Sequence, residues 1–339
     1  MYFDPHSDDV CHMSKNHISS IVGIIVGLSL LYASIREADF EATWVSLTNA
    51  DLSMIPVVVM ALAAYYWLKA LRWRHILLPI GELSSASLVP SMMAGAACNN
   101  LLPAHLGEIV RVYMIGQQFQ LSKSSVLATL IVERIFDILA VLCLLTFALF
   151  FLDLHARYYT AAVFLSITAA IGFAVTLFIA RLPQRSYDWV TRLLRPLPKR
   201  ISSRLTLLFS QLTKGLMALR DARLFMLIFC SSLVQWIAMA ICIYSSLIAL
   251  EIWLPPYASI LVLALLVAGL SLPTSPGFVG TIQFCFILGL EQFDVGANNA
   301  LSASVFYHAV LFVTVTSIGV FFLHRYRLKL RSVYSNEIK

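Results

Sequence analysis

"AACNNLLPAHLGEIVR", residues 96–111, joins two long apolar runs yet holds two asparagines, a proline, a histidine, a glycine, a glutamate and an arginine. Its surroundings decide what this means. Of the 339 residues, 60% are apolar and 12% charged, too few polar side chains to clothe a soluble globule. The chain is therefore an integral membrane protein. Its apolar segments are about 20 residues long and lack the alternation of barrel strands, so helices must satisfy the backbone inside lipid. The expected fold class is an all-α integral membrane protein.

Continuous spans are expected at 17–35, 53–71, 125–150, 158–180, 224–250 and 300–323. Two further apolar regions, 85–118 and 257–291, are interrupted near their middles by "NNLLPAHLG" and "LPTSPGFVG". Each half is short against the roughly 20 residues that cross a bilayer, which suggests hairpins that enter and leave by one side. Residues 1–16 are expected to be disordered.

Basic residues orient the chain. Ten of the 24 Lys and Arg lie from Arg181 to Arg223, and five more from Arg325 to Lys339, so the 181–223 linker and the 324–339 tail are expected in the cytoplasm. Counting back places both termini and Lys69, Arg72 and Arg74 inside and the acidic loop "READFEATW", residues 36–44, outside. The first membrane half, 17–180, then reads span, hairpin, span in the opposite sense to the second, 224–323. This inverted repeat is an arrangement from which many transporters are built, with the substrate held where broken helices meet.

In the linker, Ile201, Leu205, Leu208, Leu212, Leu216 and Leu219 recur at steps of four and three, with Arg204, Lys214 and Arg220 off that stripe. An amphipathic helix attracted by anionic lipids of the inner leaflet follows. The net charge of +6 reflects this orientation and lipid contact, not nucleic acid. No CxxC pair occurs among six cysteines, and no metal or cofactor motif is evident.

Ionisable groups within a bilayer cost roughly 2.5–3.5 kcal/mol each on insertion scales, so Glu108, Arg111, Glu133, Arg134 and Asp137 must pair, line water, or both. Glu108 and Arg111 are one helical turn apart, as are Glu133 and Asp137, with Arg134 three before Asp137. Pro103 and Gly107 free backbone groups near Asn99, Asn100 and His105, as expected where irregular backbone lines a cavity. In the second interruption, Thr274, Ser275, Thr281 and Gln283 surround a half-helix after Pro276, whose N-terminal amides favour an anion.

At these residues the chain resembles a known family. "LRWRHILLP", "NNLLPAHLGEIVR", "ERIFD" and "PTSPGFVGTIQ" look like signature segments of the lysylphosphatidylglycerol synthase transmembrane region, the flippase-like family that includes the membrane half of the multiple peptide resistance factor. The resemblance extends over nearly the whole chain, in order.

It implies translocation of a lipid, its polar headgroup passing through a cavity between the halves, in the bacterial inner membrane. The matching positions are Asn100, Pro103, Gly107, Glu108 and Arg111, then Glu133, Arg134 and Asp137, then Pro273, Pro276, Gly277 and Gly280. His105 stands where relatives often have arginine, and Gln283 where an acid is common. On this reading Arg111 and Arg134 engage a phosphate, Glu108 and Glu133 orient them, Thr274, Ser275 and Gln283 contribute from the second hairpin, and the Pro/Gly positions act as hinges. Only a short basic tail follows the last span, so the chain is not expected to make aminoacylated lipid itself.

Two alternatives belong to other classes. A membrane glycosyltransferase that draws sugar from a polyprenyl phosphate would use Glu37, Asp39 or Glu41 as general base. A non-catalytic subunit would instead escort a partner synthase.

Overall fold

The computed structural model describes residues 24–36, 39–102, 106–149, 151, 156–216, 221–271 and 275–326. Among them there is no strand. The helices in chain order are α1 (Ile24–Ile35), α2 (Phe40–Thr48), α3 (Ile55–Leu77), α4 (Ser85–Leu101), α5 (Gly107–Gln118), α6 (Lys123–Leu149), α7 (Ala156–Arg181), α8 (Pro183–Leu193), α9 (Lys199–Leu216), α10 (Ala222–Ala249), α11 (Pro256–Leu270), α12 (Thr281–Glu291) and α13 (Ala297–Arg325). Three stretches are long and apolar enough to cross a membrane: Leu52–Leu77, Ala222–Ala249 and Ala297–Arg325. Helix α6 is of similar length, 27 residues, but holds Glu133, Arg134 and Asp137 in its middle.

Outward faces carry many large apolar side chains. Trp67, Ile138, Phe147, Val234, Val313 and Phe321 are all exposed. Such a surface is stable against hydrocarbon and not against water. The protein is a multi-pass membrane protein.

The helix interruptions have local causes. Helix α4 ends where Leu102 donates to the Cys98 carbonyl, one residue before Pro103, and α5 restarts at Gly107. The first amide of α5 has no intrahelical acceptor; Asn99 Oδ1 accepts it at 2.7 Å. Between α11 and α12, Gly277 and Gly280 adopt φ of 68° and 89°, backbone that favours glycine. Gln283 Oε1 then accepts the Gly280 N–H at 2.7 Å, closing the start of α12. Pro103, His105, Pro273 and Thr274 lie outside the described residues, as do Glu37, residues 1–16 and most of the basic tail.

The chain folds as two compact units: residues 1–61, 93–110 and 240–339 form one, and 62–92 with 111–239 the other. In the first, α12 packs on α11 and α13, and α13 on α2. Backbones approach closely at small residues, the packing that membrane helices favour. A Cβ on Gly107 would strike the Gly95 carbonyl oxygen, and one on Gly319 the Met93 carbonyl oxygen and Ala97 Cβ.

The second unit has a core of Ala70, Trp73, Ile76, Leu77, Leu88, Met92, Val112, Ile115, Val126, Leu130, Val132 and Phe136, closed by Phe225 and Ile228. Against this unit the linker makes two helices where the leucine periodicity predicts one. Helix α9 includes the 201–216 part of that prediction and packs on α6, while α8 turns back beside it. The leucine stripe identifies α9 alone because α8 begins at a proline, which suits the first turn of a helix but reads as a breaker.

Gly107→Ala and Gly319→Ala are each expected to lower stability by about 1–3 kcal/mol, since fixed backbone must move to admit the methyl group. Gly296→Ala, where nothing lies within 4 Å of the added Cβ, should leave it nearly unchanged. Thermal unfolding in detergent, followed by tryptophan fluorescence, checks the order.

Candidate functional site: a buried ion cluster

Three helices of the second unit bring ionised side chains to one place. Lys69 and Arg72 lie one turn apart on α3, Arg111 is on α5, and Glu133 and Asp137 lie one turn apart on α6. Glu133 is about 15 Å along α6 from Lys123, well away from either end. All five residues are buried, Arg72 completely.

Glu133 is the hub. Arg111 clamps it with two hydrogen bonds, Nη2 to Oε2 at 2.9 Å and Nη1 to Oε1 at 3.2 Å. Lys69 Nζ is 3.1 Å from Oε1, and Arg72 Nη2 is 3.6 Å from the same oxygen. The second carboxylate takes the other side of Arg72: its Nη1 donates to Asp137 Oδ1 at 2.7 Å and to Ser232 Oγ at 3.0 Å. Trp236, one turn beyond Ser232 on α10, also donates to Asp137 Oδ1, at 2.9 Å.

Aromatic rings wall the cluster. The Arg111 guanidinium lies 4.3 Å from the centre of the Trp73 ring, a cation–π contact. The Trp73 indole N–H donates to Thr129 Oγ1 at 3.0 Å, and that hydroxyl donates onward to the Val126 carbonyl, so the ring is held in plane and position. Tyr65 packs edge-on against Trp236, 5.7 Å between centres.

Charge is unequal within this cluster. Three buried cations face two buried carboxylates, and a fourth cation, Arg134, stands 3.9 Å from Asp137 Oδ2 with 53% of its side chain exposed. Net positive charge in an apolar surrounding raises the affinity for an anion. Hydrogen-bonding capacity is also unspent: Arg72 Nε and Nη2 and Asp137 Oδ2 make no hydrogen bond. Buried polar atoms are normally satisfied, so a site with several that are not is suited to polar guests.

The other expected site residues fall in the first unit. Asn100 Nδ2 donates to Thr316 Oγ1 at 3.0 Å, joining α4 to α13. Glu108 is half-buried in the first turn of α5. Ser275 Oγ donates to the Val279 carbonyl at 2.6 Å, and Gln283 spans from Gly280 to His308, 3.2 Å from its Nδ1. These are contacts that hold the interruptions in shape. No group of three or more His, Cys, Asp or Glu that could hold a metal occurs among the described residues.

In the acidic stretch at 36–44, Asp39 Oδ1 accepts the amides of Glu41 and Ala42 at 2.8 and 3.3 Å, the N-cap of α2. That capping role accounts for the aspartate without chemistry.

Four contributors escape sequence reasoning in different ways. Lys69 and Arg72 read as inside-facing topology signals, although their position in "YYWLKALRW" within an apolar helix marks them as buried ions. Ser232 and Trp236 carry no signal; only the packing of α10 brings them to Asp137. The in-helix spacing finds the Arg134–Asp137 contact but not the pairs between helices, Arg111 with Glu133 on α6 and Asp137 with Arg72 on α3.

Removing the hub should be costly. Glu133→Gln leaves three cations without their shared carboxylate and is expected to lower stability by about 3–5 kcal/mol. Arg134→Gln, at a largely exposed side chain, should stay within about 0.5 kcal/mol of the native protein. Equal loss from both, measured by reversible unfolding in mixed micelles, would contradict this geometry.

The family described as "Lysylphosphatidylglycerol synthase TM region" matches residues 20–319. A UPF0104 membrane protein of Methanothermobacter thermautotrophicus is 26% identical over 328 residues, 90% of this chain and 94% of that one. A UPF0104 membrane protein of Pyrococcus horikoshii is 30% identical over 139 residues, 40% of this chain and 42% of that one. With the match running from ahead of α1 almost to the end of α13, this chain belongs to the lysylphosphatidylglycerol synthase transmembrane-region family.

Proposed function

We propose that this protein is a lipid flippase or scramblase of the bacterial inner membrane that moves a lipid with an anionic headgroup, such as a phospholipid or a polyprenyl phosphate. The observation that supports this most is the excess of buried cations over carboxylates among apolar helices. A structural ion network is best balanced; one left positive gains when an anion enters it. Arg111, bonded through both Nη atoms to Glu133 and set against the Trp73 ring, has a fixed orientation, and its charge together with those of Lys69 and Arg72 draws the phosphate. Glu133 orients the cations, and Arg134 is the exposed first contact.

The rest of the reading concerns movement. The interruptions at 102–106 and 271–280 are hinges in two hairpins of an inverted repeat, α3 to α6 and α10 to α13, and re-entrant geometry lets each open to its own face. The Asn99 and Gln283 side chains that cap the restarted helices keep the broken backbone satisfied during such motion. The basic linker and tail set both termini in the cytoplasm. Membership of a family described by a lipid synthase's membrane region accords with a lipid substrate.

Reconstitution tests the proposal. Liposomes containing the purified chain are expected to expose an inner-leaflet fluorescent phospholipid to an external quencher faster than empty liposomes. Arg111→Gln should slow this by about tenfold or more, the loss of one charge-assisted contact. The Arg111→Lys protein keeps the charge and should fall between the two. Rates equal to those of empty liposomes for phospholipid, polyprenyl phosphate and glycolipid alike would overturn the reading. Co-purification of a synthase with such an inactive protein would favour the escort subunit.

A further inference from the structure

The linker holds a basic cleft outside the ion cluster. Helices α8 and α9 are joined by a tight turn in which Leu194, Arg195 and Leu197 donate to the carbonyls of Val190, Arg192 and Leu194. Between the helices is an open cleft of about 620 Å³. Arg195 and Lys199 line it, with the hydroxyl residues Ser202, Ser203 and Thr206 on the first turns of α9 and with Leu197 on the turn. Cations beside several hydroxyls form the chemistry that binds phosphate, and the positive end of the α9 dipole adds to it.

Residues around the cleft identify the source of that phosphate. Residues 183–216 hold seven Lys or Arg against one acid, Asp188. On the same two helices Trp189 and Leu193 are 67% and 65% exposed, and Ile201 is 49% exposed. By helical register Trp189 and Leu193 lie on a different side of α8 from the cleft-lining Tyr187, and Ile201 on the side of α9 away from Ser202, Ser203 and Thr206, so the apolar faces seat both helices on the membrane surface while the basic cleft stays at headgroup level. We infer that the α8–α9 cleft binds the phosphate headgroup of an anionic phospholipid, with Arg195 and Lys199 as the charge contacts. This rests on the multi-pass membrane assignment and not on transport, so a failed transport assay leaves it intact.

Native mass spectrometry of the full-length protein in neutral detergent tests it, with phosphatidylglycerol and phosphatidylcholine of matched chains supplied together. The native protein should retain phosphatidylglycerol preferentially. The Arg195→Gln/Lys199→Gln variant should bind one phosphatidylglycerol fewer per chain at concentrations that saturate the native site, its affinity there roughly tenfold lower. Retention of phosphatidylcholine should not change, and Arg195→Lys/Lys199→Arg should bind as the native protein does. Unchanged phosphatidylglycerol retention in the double Gln variant would overturn the inference. Displacement of the lipid by inorganic phosphate, with the same dependence on Arg195 and Lys199, would overturn it equally, because the site would then take a free anion.

Discussion

One carboxylate organises the second unit. Glu133, far from water on an apolar helix, is tenable only because Arg111, Lys69 and Arg72 reach it from two other helices. Taking such a charge out of water costs several kcal/mol, and no single neighbour at ordinary geometry restores that amount. The requirement for several partners fixes the rotation of α3 and the placement of α5 about α6. It also leaves a remainder, since the cations gathered around Glu133 and Asp137 outnumber the carboxylates. On the proposed function, stability and anion affinity come from the same arrangement.

The first unit meets a different constraint, that of broken helices in a medium without water. Each restart exposes amides that need acceptors. Asn99 supplies one for α5, and Gln283 one at the start of α12. Close backbone approach at Gly107 and Gly319 leaves no room for side chains, so the interruptions are held by contact as well as by hydrogen bonds. Such an element has defined geometry on both sides of the break.

Much of this was legible in the residues. Hydropathy locates α3, α6, α7, α10 and α13 to within a few residues, because an apolar run of that length has few other solutions in lipid. Pro and Gly locate both interruptions for the backbone reasons given. Helix spacing, in contrast, shows which charges share a helix and says nothing about which helix lies opposite. The pairing of Arg111 with Glu133, and of Asp137 with Arg72 and Trp236, therefore emerges only from tertiary packing. Lys69 and Arg72 show how one signal hides another: a charge that orients a span can also be buried in it. Helix α8 escaped because its opening proline, which suits the first turn of a helix, reads in the sequence as a breaker.

The central claim is that the extra positive charge of the cluster selects the headgroup. Replacing Lys69 by Met removes one cation, leaves the Arg111–Glu133 and Arg72–Asp137 pairs in place, and makes the buried cluster neutral. The decisive measurement compares translocation rates of an anionic and a zwitterionic probe lipid in the same proteoliposomes. The account predicts that the native protein moves the anionic probe faster and that Lys69→Met brings the two rates together. A preference for the anionic probe that survives Lys69→Met undiminished, or no preference in either protein, would contradict it.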